Sequence, residues 1–249
     1  MNFGNSPLAH IPPVVKNLLI INIIFYIATL MFGGPMMTQV LGVHYFDSPD
    51  FKIWQVITYM FMHDYSSLFH ILFNMFALYT FGSSIEYIMG SKRFLNFYLI
   101  TGLGALGLQL LVQSFEVYNI TGSAVANGSF IIDSFKGTIS FNPDLISKED
   151  ASTLLSIYLT PMVGASGAIF GLLIAFGLLF PNAELFIMFI PVPIKAKYII
   201  PVYVLIELFL GVKQFSGDSV AHFAHLGGAL FGFILVKLWG LTRRDNFYE

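Results

Sequence analysis

The sequence predicts an all-α membrane protein built as a bundle of six transmembrane helices. Two observations support this prediction. Of the 249 residues, 56% are hydrophobic and only 10% are charged, whereas soluble globular domains carry roughly 25% charged residues. The hydrophobic residues also form long continuous runs, unlike the short alternating segments of a transmembrane β-barrel. So few charges cannot cover a surface that faces water on all sides, which excludes a soluble enzyme.

Net charge and cysteine content exclude further classes of protein. The formal net charge of −2 argues against nucleic acid as a partner. The chain has no cysteine, which excludes disulfides, cysteine–zinc sites, thiol nucleophiles and prenyl anchors. The partner that the composition itself predicts is the lipid bilayer, in which we expect residues 1–249 to form a single membrane domain.

Six hydrophobic runs approach the length of about 20 mostly apolar residues that a membrane-spanning helix needs. They cover residues 17–36, 68–89, 94–114, 163–180, 198–213 and 219–240. The fourth run is only just long enough and the fifth is short. Residues 184–194 are also apolar, but Pro191 and Pro193 disfavour a helix there, so a loop at the membrane surface is predicted.

Two connections between the predicted helices are long. Residues 37–67 mix aromatic and charged side chains, as do segments that lie in the membrane interface, so we expect a partly interfacial first loop. Residues 115–161 begin as a polar stretch rich in Gly, Ser and Asn and then become mildly amphipathic. The sequence does not indicate a role for this second loop.

The distribution of positive charge predicts the orientation of the helices. Eight of the 12 Lys and Arg residues flank one side of the predicted bundle, namely Lys16, Lys92, Arg93, Lys195, Lys197, Lys237, Arg243 and Arg244. Positive residues accumulate on the cytoplasmic side. We therefore expect a multi-pass protein of the cell membrane with both termini in the cytoplasm. The second, fourth and sixth helices then enter the membrane from the outside.

Four polar residues fall at one depth in this topology. His70 and Asn74 lie in the first turns of the second helix, Ser166 in the first turn of the fourth, and His225 near the start of the sixth. Polar residues inside a membrane are costly and are often functional. The alternative is that Ser166 only packs helices, which is common for a serine in a small-residue motif.

Glycines explain how Ser166 and His225 could meet. The fourth helix carries Gly167-x-x-x-Gly171 and the sixth carries Gly228-x-x-x-Gly232. Each pair strips one helix face of side chains and lets two backbones approach closely. A serine hydroxyl beside an imidazole is the arrangement of a nucleophile and its general base.

No acidic residue is expected at the depth of His225. Asp218 lies above the site in a loop, and Glu207 lies deeper, near the middle of the fifth helix. The sequence therefore predicts a Ser–His dyad rather than a triad. Glu207 itself is interpreted as a protonated carboxyl that bridges helices, or alternatively as a residue with which the fifth helix gates substrate entry.

Four motifs together resemble the rhomboid intramembrane serine proteases, in particular their bacterial type with six transmembrane helices. The motifs are HILFN at 70–74, FGSSIE at 81–86 with Gly82 and Glu86 as a GxxxE pair, GASG at 164–167 and AHLGGALFG at 224–232. The resemblance covers about residues 15–240. It implies peptide-bond hydrolysis in or near the transmembrane segments of substrate proteins, without a cofactor.

The resemblance also implies roles for individual residues. Ser166 would be the nucleophile and His225 the general base. His70 and Asn74, together with the backbone N–H of Ser166, would form the oxyanion hole. Phe170 would stack under the ring of His225. The glycines of the two motifs would support the site, and these are Gly164, Gly167, Gly171, Gly228 and Gly232.

Two features depart from the family pattern, and two other functions remain open. Gln55 follows Trp54 where family members commonly have Arg, which bears on the stability of the first loop, and residues 115–161 are longer than expected. A transporter or channel that uses the same polar residues is one alternative, although no inverted repeat is visible. A catalytically inactive rhomboid-like protein that only binds membrane helices is the other.

The remaining histidines give no sign of a metal site. His222 precedes His225 by one turn, but no third ligand is expected nearby, so we predict no metal. His63 and His10 are interpreted as residues of the membrane interface.

Overall fold

The computed structural model describes residues 10–187, 190–213 and 221–241, and most of these residues are helical. The helices are α1 (Pro13–Phe32), α2 (Gly34–Leu41), α3 (Gln55–Thr58), α4 (Leu68–Ala77), α5 (Ser83–Met89), α6 (Ser91–Thr121), α7 (Lys148–Leu159), α8 (Ser166–Leu179), α9 (Ala196–Lys213) and α10 (His222–Leu238). A 3₁₀ turn (Tyr59–Phe61) follows α3, and a π-helical turn (Leu78–Gly82) joins α4 to α5 in one continuous helix.

Three helices are long and apolar enough to cross a membrane, counted over the described residues. They are Pro13–Phe32, Leu68–Met89 and Ser91–Thr121. α8 and α10 are apolar but shorter, with 14 and 17 residues. The all-α membrane class is therefore confirmed, and all six predicted runs contain a helix. That all six cross the bilayer remains a prediction.

Local chemistry explains where the helices differ from the predicted bounds. The first helix ends at Phe32 rather than at residue 36, because Gly33 adopts a φ of 103° and Pro35 lies in the first turn of the separate helix α2. The third run continues to Thr121, since the next left-handed glycine cap is Gly122 at φ 75°.

α8 lies at the centre of the hydrophobic core, with most of its residues buried. It packs against α10 through glycines on both helices. A Cβ on Gly228 would overlap the carbonyl oxygen of Gly167, and a Cβ on Gly232 would lie 2.7 Å from Cα of Gly171. The expected close approach of these two helices is confirmed. α6 covers another side of α8, where a Cβ on Gly171 would lie 2.6 Å from Cβ of Thr101.

Buried polar side chains hold the periphery of the bundle together. Glu86 on α5 accepts hydrogen bonds from the backbone N–H groups of Val14 (3.0 Å) and Val15 (2.8 Å), and so caps the start of α1. Gln55 is fully buried in the first loop, where its amide donates to Asp50 O (3.1 Å) and accepts from the N–H of Lys52 (3.0 Å). Gln55 therefore connects two parts of this loop through its buried side chain.

Residues 115–161 form an ordered unit rather than a featureless loop. Strands β1 (Phe130–Asp133) and β2 (Thr138–Phe141) pair as an antiparallel hairpin, and α7 follows. A second hydrophobic cluster, which includes Tyr45, Val117 and Tyr158, joins this unit to the end of α6 and to the first loop. The long insertion is therefore anchored on the bundle by its own small core.

The described residues of the segment 184–194, which was predicted as a surface loop, form two antiparallel strands. β3 (Glu184–Ile187) and β4 (Ile190–Lys195) pair in antiparallel fashion, with Glu184 opposite Lys195. Prolines exclude a helix there, as predicted, but a two-stranded ribbon tolerates them because half of its N–H groups face away from the partner strand.

Candidate active site

Ser166 and His225 meet at the helix contact described above. Ser166 is the first residue of α8, and His225 lies in the first turn of α10. The hydroxyl Oγ of Ser166 lies 2.8 Å from Nε2 of His225, although 59 residues separate them in the chain. Both residues are partly buried. This is the geometry in which an imidazole nitrogen can accept a hydroxyl proton.

The ring of His225 is held flat against Phe170. The two ring centroids are 4.3 Å apart and the planes differ by 8°, so the expected stacking is present. Phe170 in turn contacts Tyr203 on α9, with centroids 5.2 Å apart. Stacking on Phe170 therefore fixes the plane of the imidazole. The orientation of the ring within that plane is set by its hydrogen bonds.

Glu207 supplies the hydrogen bond on the other side of His225. Its Oε2 lies 2.9 Å from Nδ1 of His225, and the carboxylate is buried. Ser166, His225 and Glu207 are thus linked by hydrogen bonds. The prediction that no acidic residue lies at the depth of His225 is wrong. The depth estimate failed because Gly211, one turn after Glu207, lets α9 approach α10: a Cβ on Gly211 would lie 3.2 Å from Cβ of His222.

His222 shares the same carboxylate oxygen. Its Nδ1 lies 2.6 Å from Oε2 of Glu207, and its side chain is buried. One ligand atom from each of Glu207, His222 and His225 lies within 4.8 Å of the others, so the three could by distance hold a metal ion. The expectation that no third ligand lies near the two histidines is therefore wrong. Hydrogen bonds already connect the three groups, and the absence of a metal remains a prediction.

His70 lies beside Ser166 and has a defined tautomer. The backbone N–H of Asp64 donates to Nδ1 of His70 (3.2 Å), so the neutral ring carries its hydrogen on Nε2. A Cβ on Gly164 would lie 3.2 Å from that Nε2 and 3.3 Å from Oγ of Ser166. Gly164 has a φ of 135°, a backbone conformation that residues with a side chain rarely adopt. A side chain at position 164 would therefore crowd both the His70 donor and the serine hydroxyl.

Asn74 and His63 lie close to His70. Asn74 is buried and donates through Nδ2 to the carbonyl oxygen of His70 (2.8 Å). Its predicted part in the oxyanion hole remains a prediction.

His63 is fully buried rather than interfacial, with its ring centroid 5.2 Å from that of His70. Burial lowers the pKa of His63 to about 3, so this ring is neutral and adds no charge beside the site.

The fold and the linked serine and histidine define a class of helical membrane protein with a partly buried candidate nucleophile. The rhomboid domain model matches residues 50–241 of the chain. The chain therefore belongs to the rhomboid family.

Three relatives illustrate the similarity. An uncharacterized mitochondrial rhomboid protein of Schizosaccharomyces pombe is 27% identical over 206 residues, which are 75% of this chain and 51% of that protein. The mitochondrial RHOMBOID-like protein 12 of Arabidopsis thaliana is 26% identical over 235 residues, 94% of this chain and 60% of that protein. The mitochondrial presenilin-associated rhomboid-like protein of Mus musculus is 30% identical over 180 residues, 71% of this chain and 34% of that protein.

These relatives correct the predicted location of the protein, and this chain matches only part of each of them. All three are named as mitochondrial proteins, so the predicted location in the cell membrane is wrong, and with it the assignment of the termini to the cytoplasm. The distribution of Lys and Arg distinguishes the two sides of a membrane, but it does not identify which membrane of the cell holds the protein. The chain spans between 34% and 60% of the length of these relatives.

Proposed function

We propose that the protein is an intramembrane serine endopeptidase that hydrolyses peptide bonds in or near the transmembrane segments of other proteins. The observation that carries this proposal is the 2.8 Å contact between Oγ of Ser166 and Nε2 of His225. The single membrane domain is proposed to have six spans and, in line with the relatives' names, to reside in a mitochondrial membrane.

The reaction begins with proton transfer from Ser166 to His225. The serine oxygen attacks the carbonyl carbon of the peptide bond, and the carbonyl oxygen becomes an oxyanion. Donors for that oxyanion are the Nε2–H of His70, the side-chain amide of Asn74 and the backbone N–H of Ser166. The Ser166 N–H is available because the first N–H groups of α8 have no partner within the helix.

Collapse of the tetrahedral intermediate breaks the peptide C–N bond. His225 returns its proton to the leaving amine, and an acyl-enzyme remains on Ser166. Water then attacks the ester carbonyl carbon, and His225 accepts a proton from it. The bond to Oγ of Ser166 breaks, His225 returns the proton to that oxygen, and the second product leaves with a new carboxyl group. A substrate helix must unwind locally to expose its carbonyl, so we expect cleavage where small or helix-breaking residues weaken the helix.

Labelling with a fluorophosphonate probe tests the proposal. Only an activated serine reacts, so the wild-type protein should be labelled and Ser166→Ala should not. A catalytically inactive membrane-helix-binding protein would bind a transmembrane peptide without being labelled. A wild-type protein that is correctly folded in detergent but unlabelled would refute the proposed function.

A further inference from the structure

Glu207 on α9 connects the Ser166–His225 pair to a second histidine. We infer that Glu207 is a positioning residue, which holds His225 in the one tautomer that can accept the serine proton, while His222 keeps the Glu207 carboxylate ionised. The inference rests on the proposed protease function. It replaces a two-residue arrangement by a chain of four hydrogen-bonded side chains.

The hydrogen bond to Glu207 selects the tautomer of His225. An ionised carboxylate has no hydrogen and can only accept. Nδ1 of His225, 2.9 Å from Oε2 of Glu207, must therefore carry the ring hydrogen of the neutral imidazole. Nε2 then presents its lone pair to the hydroxyl of Ser166 at 2.8 Å. In the other tautomer, Nε2 would carry a hydrogen and could not act as a base toward Ser166.

The same carboxylate stabilises the ring after proton transfer. When His225 accepts the serine proton it becomes an imidazolium, and its positive charge then lies beside the negative charge of Glu207. The carboxylate, with 6% of its side chain exposed, is shielded from water, so this attraction is weakly screened. The hydrogen bonds of Glu207 go to His225 and His222 and not to Ser166, so it acts through His225.

His222 supplies what the buried carboxylate needs to remain charged. A buried charge is costly unless hydrogen bonds compensate for its lost water. Oε2 of Glu207 receives two such bonds, one from each histidine, and the shorter one, 2.6 Å, comes from Nδ1 of His222. Without His222, Glu207 would tend to hold a proton, and a protonated carboxyl facing His225 could donate to Nδ1 and impose the inactive tautomer.

The position of α9 brings Glu207 to the site. Gly211 lies four residues after Glu207, so both face α10, and a Cβ on Gly211 would lie 3.2 Å from Cβ of His222 and 3.4 Å from the ring of Phe223. The small residue therefore allows the helix approach that the short hydrogen bonds require. The contacts of Glu207 are a consequence of this packing and not of a long side chain reaching across a gap.

The test uses Glu207→Gln, which preserves the shape of the side chain but not its charge. Four quantities are measured on the full chain in detergent: kcat and KM for a transmembrane model substrate, the rate of fluorophosphonate labelling at Ser166, and the melting temperature. We expect kcat and the labelling rate to fall together by about 10²-fold or more, since the wrong tautomer in a Ser–His–Asp triad costs roughly 10⁴-fold. KM should stay within about twofold, because the inferred role of Glu207 is exerted on His225 and not on the substrate.

The matched control is Glu149→Gln, the same chemical change at an exposed position of α7, which should leave all four quantities unchanged. Wild-type kcat and labelling rate in Glu207→Gln would overturn the inference. So would a loss confined to KM or to the melting temperature. If the wild-type protein itself neither cleaves nor labels, the proposed protease function fails and the inference falls with it. These outcomes are therefore distinguishable.

A second pair of variants, at His222, tests the inference even if Glu207→Gln does not fold. Asn places a side-chain N–H near the position of Nδ1, so His222→Asn should keep most of the activity, whereas His222→Phe keeps the ring but loses the donor and should lose at least about tenfold in kcat. Equal activity of the two variants would overturn the assigned role of His222. In a folded Glu207→Gln background, His222→Phe should add no further loss, because the two residues act through one carboxylate.

Discussion

Gly228 of α10 packs so closely on Gly167 of α8 that no Cβ fits between the two backbones. This contact brings the start of α10 next to the start of α8. His225 lies three residues before Gly228, and Ser166 directly precedes Gly167, so the glycine contact places the two side chains within 2.8 Å of each other. The position of the candidate nucleophile and base is thus set by helix packing.

Adding bulk at this contact should therefore damage activity more than stability. Gly228→Val and Gly232→Val both insert side chains where backbone atoms already meet. Overpacking costs typically 1–3 kcal/mol of stability, whereas a displacement of about 1 Å at the site can cost roughly 10²-fold in rate. Cleavage rate and melting temperature of both variants measure the two effects.

The control for the glycine variants must lie outside the contacts between helices. Gly104 on α6 is not suitable, because a Cβ there would overlap the ring of Phe231 on α10. Gly107 lies one turn further along α6, and a Cβ added to it would meet no atom within 4 Å, so Gly107→Ala should be neutral or slightly stabilising. Full activity in both valine variants would mean that the α8–α10 contact does not position the site.

Removal of an oxyanion donor should slow turnover without removing the nucleophile. His70→Ala and Asn74→Ala are each expected to lower kcat by about 10²–10³-fold, the usual cost of one lost donor. Fluorophosphonate labelling of Ser166 should persist at a reduced rate, since the serine and its base remain in contact. Wild-type turnover in both variants would show that these residues only join α4 to its surroundings.

Glu86 should contribute to stability and not to chemistry. Its carboxylate accepts three hydrogen bonds, from the N–H groups of Val14 and Val15 and from the hydroxyl of Ser91. Glu86→Gln can satisfy fewer of these donors, so we expect a loss of about 2–3 kcal/mol in the free energy of unfolding. The turnover per folded molecule should be unchanged. A large loss of kcat at wild-type stability would contradict this division of roles.

The sequence was sufficient to predict the pairing of Ser166 with His225. Alternating helix directions place both residues at the same end of their helices, and the two glycine pairs predict a close contact between those helices. Neither argument depends on which membrane holds the protein, and so the pairing is present although the predicted location was wrong.

The sequence was not sufficient to place Glu207. Its distance from the end of α9 suggests a deeper position, because each residue adds about 1.5 Å of helix. What matters instead is the approach of α9 to α10, which depends on how the side chains of both helices pack. The spacing of Glu207 and Gly211 was the one available indication, since it puts a carboxylate and a small residue on the same helix face.

The insertion at 115–161 escaped prediction for a similar reason. Its hydrophobic residues are spread between polar ones and give only a mildly amphipathic pattern, yet Phe130, Ile146 and Leu154 are buried together with Tyr45 of the first loop. Contacts between segments far apart in the chain stabilise this unit, and no local pattern reports them.

The central claim is that Ser166 and His225 act as one catalytic unit. The most direct measurement is the cleavage rate of a transmembrane model substrate by the purified protein, by Ser166→Ala, by His225→Ala and by the double variant. Each single variant should lose about 10³-fold or more in rate, and the double variant should be no worse than either single one, because the two residues serve the same step. Substantial cleavage by either single variant, or losses that multiply in the double variant, would contradict the account.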